Sequence, residues 1–287
     1  MTGFMPEAPR QGAYNLRRAL VSAVRLVKTP WAERRLIARL VRRDLESRYR
    51  GSLFGGLWTV LSPLIMLALY TFVFEGVFRA RWPGVDARPV NFATLLFLGL
   101  TLFWLISEPI GRAPRLLIEQ KEFVKKVRFH VEILPWVTSL GALLTTGLNL
   151  GLTLAGFIML NGWPPLSALS IPLILIPLFL FGLGINYVLA ALGVFIRDLQ
   201  PIIGVALTGL MFLSPIFFPL SGVSDAYRWI LELNPLAPLL EAARNALSIG
   251  QWPDVAMLGS LSLLGWIVAV LGYALFLRVR HGFADVL

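Results

Sequence analysis

The chain has 287 residues, of which 57% are hydrophobic and 15% charged, with a formal net charge of +10. Soluble domains carry about a quarter charged residues, so this composition, with a mean hydropathy of +0.73, excludes an ordinary soluble fold. Cysteine is absent and His130 and His281 are the two histidines, which removes disulfide and thiolate chemistry and leaves no metal site or catalytic residue to assign.

The first thirty residues lack the apolar core of a signal peptide. They are expected to form a cytoplasmic arm (1–30), and the first span then serves as its own insertion signal. Leu16, Leu20, Val24 and Val27 recur at helical spacing among Arg17, Arg18, Arg25 and Lys28, until Thr29-Pro30 breaks the pattern. Residues 31–52 predict an amphipathic interface helix. Ile37, Leu40, Val41, Leu45 and Tyr49 share one face, and Arg35, Arg39, Arg42, Arg43 and Glu46 the other. An apolar face with a basic rim suits a helix lying in the headgroup plane. Two readings stay open here: a generic anchor, or a lever that carries the motion of a cytoplasmic partner. Gly51 and Ser52 permit a sharp turn.

Apolar runs of about 20 residues mark bilayer-spanning helices. Six are expected, at about 53–78, 90–110, 131–160, 168–196, 199–220 and 255–277, within a transmembrane domain (53–280) followed by a short cytoplasmic tail (281–287). The fold class is all-α integral membrane. With the amino terminus inside, 21 of the 26 Lys and Arg fall on one side. The positive-inside rule then puts both termini of a multi-pass protein in the cytoplasm. The basic excess reads as a topology signal with attraction to anionic membrane lipids, and not as nucleic-acid binding, for which no motif is present.

Secondary transporters couple to ions through ionisable groups deep in the membrane. Here no ionisable residue falls at a span's middle. Glu75 lies near one end of the first span, and Glu108 pairs at helical spacing with Arg112 near the end of the second. No G-x-x-x-x-G-K-[ST] phosphate loop occurs. If ATP is the fuel, another polypeptide binds it and must dock on a cytoplasmic loop. The segment 112–135 is charged, helix-prone and on the inside. Glu119, Glu122, Phe123, Lys125, Lys126 and Arg128 are its candidate coupling residues, with a solvated topology loop as the alternative.

Aromatic side chains stack broadly on apolar surfaces without demanding one hydrogen-bond pattern. Trp58, Tyr70, Phe74, Phe97 and Trp104 are the candidate channel or gate residues, with interfacial anchoring or packing as the alternative. In the third span Gly147 and Gly151 form a G-x-x-x-G face for close helix packing, within one subunit or between two. Between 220 and 255, two short apolar segments are broken by Pro235 and Pro238. They predict re-entrant helices between the fifth and sixth spans, against a flat surface hairpin.

The stretch RDLESRYRGSLFGGLWTVLSP resembles the start of type-2 ABC transporter permeases that export polysaccharides, the O-antigen and teichoic acid exporters among them. Arg43, Asp44, Arg48 and Tyr49 fill an R-D-x-x-x-R-Y element on the interface helix, and Gly55, Trp58 and Pro63 follow in place. The Arg197-Asp198 turn, Ser214-Pro215 and the FADVL end fit as well. Asn234, Pro235, Glu241 and Arg244, downstream of Tyr227, match an N-P-x-x-x-x-x-E-x-x-R segment. One departure is Phe129-His130, where Phe-Pro is usual. The resemblance implies a homodimer with two copies of a cytoplasmic ABC ATP-binding subunit. ATP and Mg would be bound by that partner, with no cofactor in this chain. The implied substrate is a polyprenyl-pyrophosphate-linked polysaccharide, with O-antigen favoured over teichoic acid or capsular polymers. An enzyme acting on lipid-linked sugars is the rival from another class; it needs clustered acids, and here they are scattered.

Overall fold

The computed structural model describes residues 22–48, 51–52, 54–79, 90–124, 129–220 and 223–286. The expectations for 1–21, Tyr49, Lys125, Lys126 and Arg128 lie outside the described residues, as does the side chain of Phe123. Every regular element among the described residues is helical.

Helix α1 covers residues 22–32, and α2 is Arg34–Arg48. As the pattern predicts, α2 buries Ile37, Leu40 and Val41. They pack on Ile133 and Val137, while the arginines of the other face stay exposed. Helix α3 (Trp58–Tyr70) continues through a π turn over Thr71–Val77. Next comes α4 (Phe92–Glu119) and the single turn α5 (Lys121–Val124). Helices α6 (Leu134–Asn161) and α7 (Ile171–Gly193) are each preceded by a short 3-10 turn. Helix α8 is Leu199–Phe212, α9 Asp225–Glu232 and α10 Leu236–Ser248. Helix α11 (Val255–Val279) and the terminal turn α12 (Phe283–Val286) complete the chain.

Five of these segments are long and apolar enough to cross a bilayer: Gly55–Phe74, Phe92–Glu119, Val131–Asn161, Leu166–Gly193 and Val255–Gly282. The sixth, α8, is shorter than the sequence predicts. It stops at Phe212 and gives way to turns over 213–216. Pro215 is the reason: it has no N–H for the helical ladder, and its ring clashes with the carbonyl four residues back. Ser214 Oγ instead donates back to the Leu210 carbonyl at 2.7 Å. With 14 residues, α8 reaches about 21 Å, short of the ~30 Å hydrocarbon core. Helix α4 errs the other way. It runs past the expected boundary at 110 to Glu119, because Arg112, Arg115 and Glu119 end the apolar run without breaking the helix.

Helix α4 is the centre of the bundle and packs on α6, α7, α8 and α10. Phe97, Leu98 and Leu102 on it have no exposed surface. Helix α7 crosses both α11 and α4 at glycines. A Cβ on Gly272 would lie 2.3 Å from the Gly184 carbonyl oxygen, and one on Gly193 2.2 Å from that of Pro114. Only a residue without a side chain permits backbones this close. By contrast, a Cβ on Gly147 or Gly151 would meet nothing within 4 Å, so the expected G-x-x-x-G face contacts no helix within the described chain.

Polar pins close the α2 end of the bundle. Asn186 Nδ2 donates to Thr138 Oγ1 at 2.9 Å, and Tyr187 donates to the Glu132 carbonyl at 2.7 Å. The buried Glu132 carboxylate pairs with Arg280 at 3.1 Å. Each satisfies a polar group that would otherwise be costly in an apolar interior.

Candidate functional site

The R-D-x-x-x-R element forms an ion cluster between α2 and α4. Arg112 Nη1 donates to Asp44 Oδ2 at 2.9 Å, and its second nitrogen reaches Asp44 Oδ1. Arg48, one turn along α2, donates to Asp44 Oδ2 at 3.0 Å and also pairs with Glu108. Glu108 and Arg112 pair with each other as expected, at 3.9 Å, and Glu108 is held more closely by Arg48. Burial pushes the Asp44 carboxyl up, but the Arg112 and Arg48 guanidiniums outweigh it and hold the group below its usual range. A Cβ on Gly141 of α6 would lie 3.6 Å from both Arg48 and Asp44, so the cluster sits on the backbone of a third helix. Arg43 faces elsewhere, 3.4 Å from Gln120 Oε1 at the end of α4. The interface helix is thus tied to α4 at two points, and α4 carries the tie into the bundle.

On either side of Gln120 the chain presents Ile118, Glu119, Lys121 and Glu122 to the exterior. The helix-prone segment is interrupted here. The Gln120 turn separates α4 from α5. Phe129 and His130 are non-helical, and His130 Nδ1 lies 3.3 Å from Glu33 Oε1 in the turn between α1 and α2.

A cavity of about 350 Å3 opens between α4, α6 and α8. Trp104 and Phe103 line one wall, Thr145, Thr146 and Asn149 a second, and Leu207, Thr208 and Met211 a third, with Ser107 and Glu108 at one end. The Thr145 and Thr208 hydroxyls donate to carbonyls of their own helices at 3.1 and 3.0 Å, which leaves their oxygen lone pairs as acceptors. Asn149 Oδ1 is buried and accepts no hydrogen bond among the described residues. The surface offers hydroxyls, an amide and an indole, and its single ionisable group, Glu108, is occupied by Arg48.

The channel candidates fall in three places. Trp104 lines the cavity. Phe97 is wholly enclosed, edge-on to Trp104 at 6.1 Å, so it has no surface to offer a substrate in this conformation and backs the Trp104 ring. Trp58, Tyr70 and Phe74 are half-buried on α3 and its extension, away from the cavity. Phe74 stacks on Phe92 at the start of α4, centroids 5.3 Å apart. Sequence reasoning missed Ser107, Thr145, Thr146, Asn149 and Thr208. The available signal was Thr145, Thr146 and Asn149 at helical spacing inside an otherwise apolar run.

The N-P-x-x-x-x-x-E-x-x-R residues build a clasp at the opposite end. Asn234 Nδ2 donates to Ser214 Oγ at 2.9 Å and the Leu213 carbonyl at 3.1 Å, while its Oδ1 accepts from the Leu236 N–H at 3.0 Å. Arg244, 2% exposed, donates to the Ile216 carbonyl at 2.8 Å. A Cβ on Gly99 would lie 2.7 Å from its guanidinium. Two side chains therefore grip both ends of the turn that terminates α8. Pro235 caps α10, whose Leu239, Leu240, Ala243 and Leu247 are buried in the main core. Glu241 is half-buried, one turn before Arg244 and close enough for its charge to act on that guanidinium, while Tyr227 is exposed. Replacing Asn234 by Ala leaves the 213–214 groups without their donor. The expected outcome is a loss of about 1–3 kcal/mol, read as faster hydrogen exchange over 213–220 while α4 and α7 exchange as before; unchanged exchange there contradicts the clasp.

A family model described as "ABC-2 type transporter" matches residues 35–248. The chain is 30% identical over 264 residues to a Myxococcus xanthus protein named O-antigen export system permease protein RfbA, covering 91% of this chain and 99% of that one. A Klebsiella pneumoniae protein of the same name is 26% identical over 257 residues, 88% of this chain and 95% of the relative. The Escherichia coli Polysialic acid transport protein KpsM is 24% identical over 246 residues, 83% and 91% of the two chains.

Proposed function

The chain belongs to the ABC-2 type transporter family, and we propose on that basis that it is the permease of a polysaccharide exporter. Its cargo is a polyprenyl-pyrophosphate-linked O-antigen or similar cell-surface glycan. The permease works as a homodimer in the bacterial inner membrane, with both termini in the cytoplasm. Two copies of a separate ATP-binding subunit hold ATP and Mg and hydrolyse the nucleotide. The observation that carries the reading is the lining of the cavity between α4, α6 and α8. Neutral hydroxyls and an amide accept and donate hydrogen bonds in any order, and the Trp104 face stacks on a sugar ring. A repeating polymer needs such a surface, since it must slip by one unit without a deep trap at any register.

Force enters at Ile118, Glu119 and Glu122, with Lys125, Lys126 and Arg128 completing the docking segment. There it acts on α4 directly, and the Asp44 cluster ties α4 to the interface helix, so that the two move together as a lever. At the far end, α9 and α10 form a re-entrant pair that closes the outer mouth, fastened by Arg244 and Asn234. A bulky side chain in the cavity tests the path. Thr208→Trp, on a half-turned outer wall of α8, is expected to lower surface glycan at least tenfold with normal protein level, an obstruction worth more than about 1.4 kcal/mol in the rate-limiting step. Undiminished surface glycan removes the cavity from the path. A capsular polymer is the second reading, carried by the likeness to the Escherichia coli protein. Deleting the gene and identifying the polymer that stays inside the cell decides between the two.

A further inference from the structure

A second and larger hollow lies on the other side of α6, and the cargo path does not use it. It measures about 740 Å3 and runs between α2 and α6. Its floor is apolar: Ile37, Val41 and Leu45 from α2 face Trp136, Leu140 and Leu143 from α6. Its mouth is charged. Arg34 and Arg42 stand on the rim, with Glu46 accepting from Arg42 Nε at 2.7 Å. Arg34 is held in place from two sides. Its guanidinium lies 5.5 Å from the centre of the Trp31 ring, and its Nη1 donates to the Trp31 carbonyl at 3.1 Å. Two arginines against one glutamate leave the mouth net positive.

We propose that this groove is a binding site for one anionic phospholipid. An acyl chain fills the apolar floor, and the phosphate lies at Arg34, with Arg42 about 12 Å along the helix adding its charge to the mouth. The volume falls within the roughly 300–1,000 Å3 of ligand pockets. The alternation of depth is what a lipid requires, an apolar slot with cationic donors at headgroup level. A bare amphipathic helix lying on a bilayer has no such slot, because its apolar face meets lipid broadly. Here α6 provides the second wall. The bound lipid wedges α2 against α6 on the flank opposite the Asp44 cluster, so it sets the resting position of the lever. The inference rests on the proposed topology, with α2 at the cytoplasmic leaflet.

The test is native mass spectrometry of the full chain purified in detergent, with phosphatidylglycerol or phosphatidylcholine added. The wild-type chain is expected to retain phosphatidylglycerol about tenfold better, because both lipids carry the phosphate but the choline ammonium brings a positive charge to a mouth that is already net positive. Arg34→Gln with Arg42→Gln, both on exposed positions, should erase that preference, and Leu143→Trp, which fills the slot, should remove the adduct of either lipid. Equal retention of the two lipids by the wild type overturns the site, as does retention unchanged in the double glutamine variant. Displacement by undecaprenyl phosphate at equal concentration makes the cargo's carrier the occupant and overturns the proposal. An adduct seen only after residues 1–20 are deleted makes the amino-terminal arm the occupant, with the same consequence. The assay needs neither glycan nor ATPase, so a chain that exports nothing yet passes it refutes the export reading alone.

Discussion

Asp44→Ala is expected to abolish export while the permease still reaches the membrane. The carboxylate is the shared acceptor of Arg48 and Arg112, and alanine leaves two part-buried guanidiniums with Glu108 as their remaining acid partner in the cluster. Breaking a fully buried pair costs ~3–5 kcal/mol. Arg112 is 36% exposed and Arg48 23%, so solvent screening reduces this to about 2 kcal/mol. The functional loss is larger than the stability loss, because the variant uncouples α2 from α4. Surface glycan should fall at least tenfold while ATP hydrolysis by the proposed partner continues. Export that persists with both arginines displaced would mean that force enters elsewhere. The pH dependence has a definite sign. The native carboxyl is held below its unfolded value near 3.9. Its stabilisation is therefore complete above that value and is lost as pH falls through the lowered native one. A pH near neutrality leaves the cluster intact.

Gly184→Leu should prevent the bundle from forming. A Cβ there would lie 2.6 Å from the Val268 carbonyl carbon, and the obstacle is backbone, which cannot rotate away. Helices α7 and α11 would have to separate along their longest contact, and a loss above ~4 kcal/mol belongs to this kind of overpacking. Detergent-solubilised protein should run as aggregate on size exclusion. Gly147→Leu is the matched control. Its Cβ enters open space, so the subunit should fold as the wild type does. Equal behaviour of the two variants would put the close crossing in the wrong place.

That pair of glycines also marks the limit of what was legible beforehand. Gly147 and Gly151 stand four apart and drew attention as a motif. Gly184 and Gly272 are far apart in sequence, and nothing local ties them together; only the crossing of two helices does. The interface helix was readable because its periodicity is strong and its charges sit on one face. The inner limit of α4 was not, since helices do not stop where hydropathy stops. The early end of α8 was written in Ser214-Pro215, yet the apolar residues beyond it outweighed the proline in a reading by composition. Among the site residues, Asp44, Asn234 and Arg244 were found through a motif, and the structure supplies the physical reason for each. Thr145, Thr146 and Asn149 were hidden because hydroxyls and amides weigh little against a run of leucines. Phe97 and Trp104 looked equivalent, seven positions apart on one face; the tertiary packing of α10 and α8 over α4 buries one and leaves the other open.

The brevity of α8 has a consequence for the lipid around it. A helix about 9 Å too short for the hydrocarbon core cannot be matched by tilting, which only shortens its reach further. One response to such a mismatch is a thinner leaflet beside the helix, which draws headgroups and water down toward the clasp. A thinned flank is a low sill, over which a polar polymer with a greasy anchor can leave sideways without its sugars crossing a full thickness of oil. Thicker bilayers would raise that sill and slow release, so export in reconstituted membranes should fall as acyl chains lengthen.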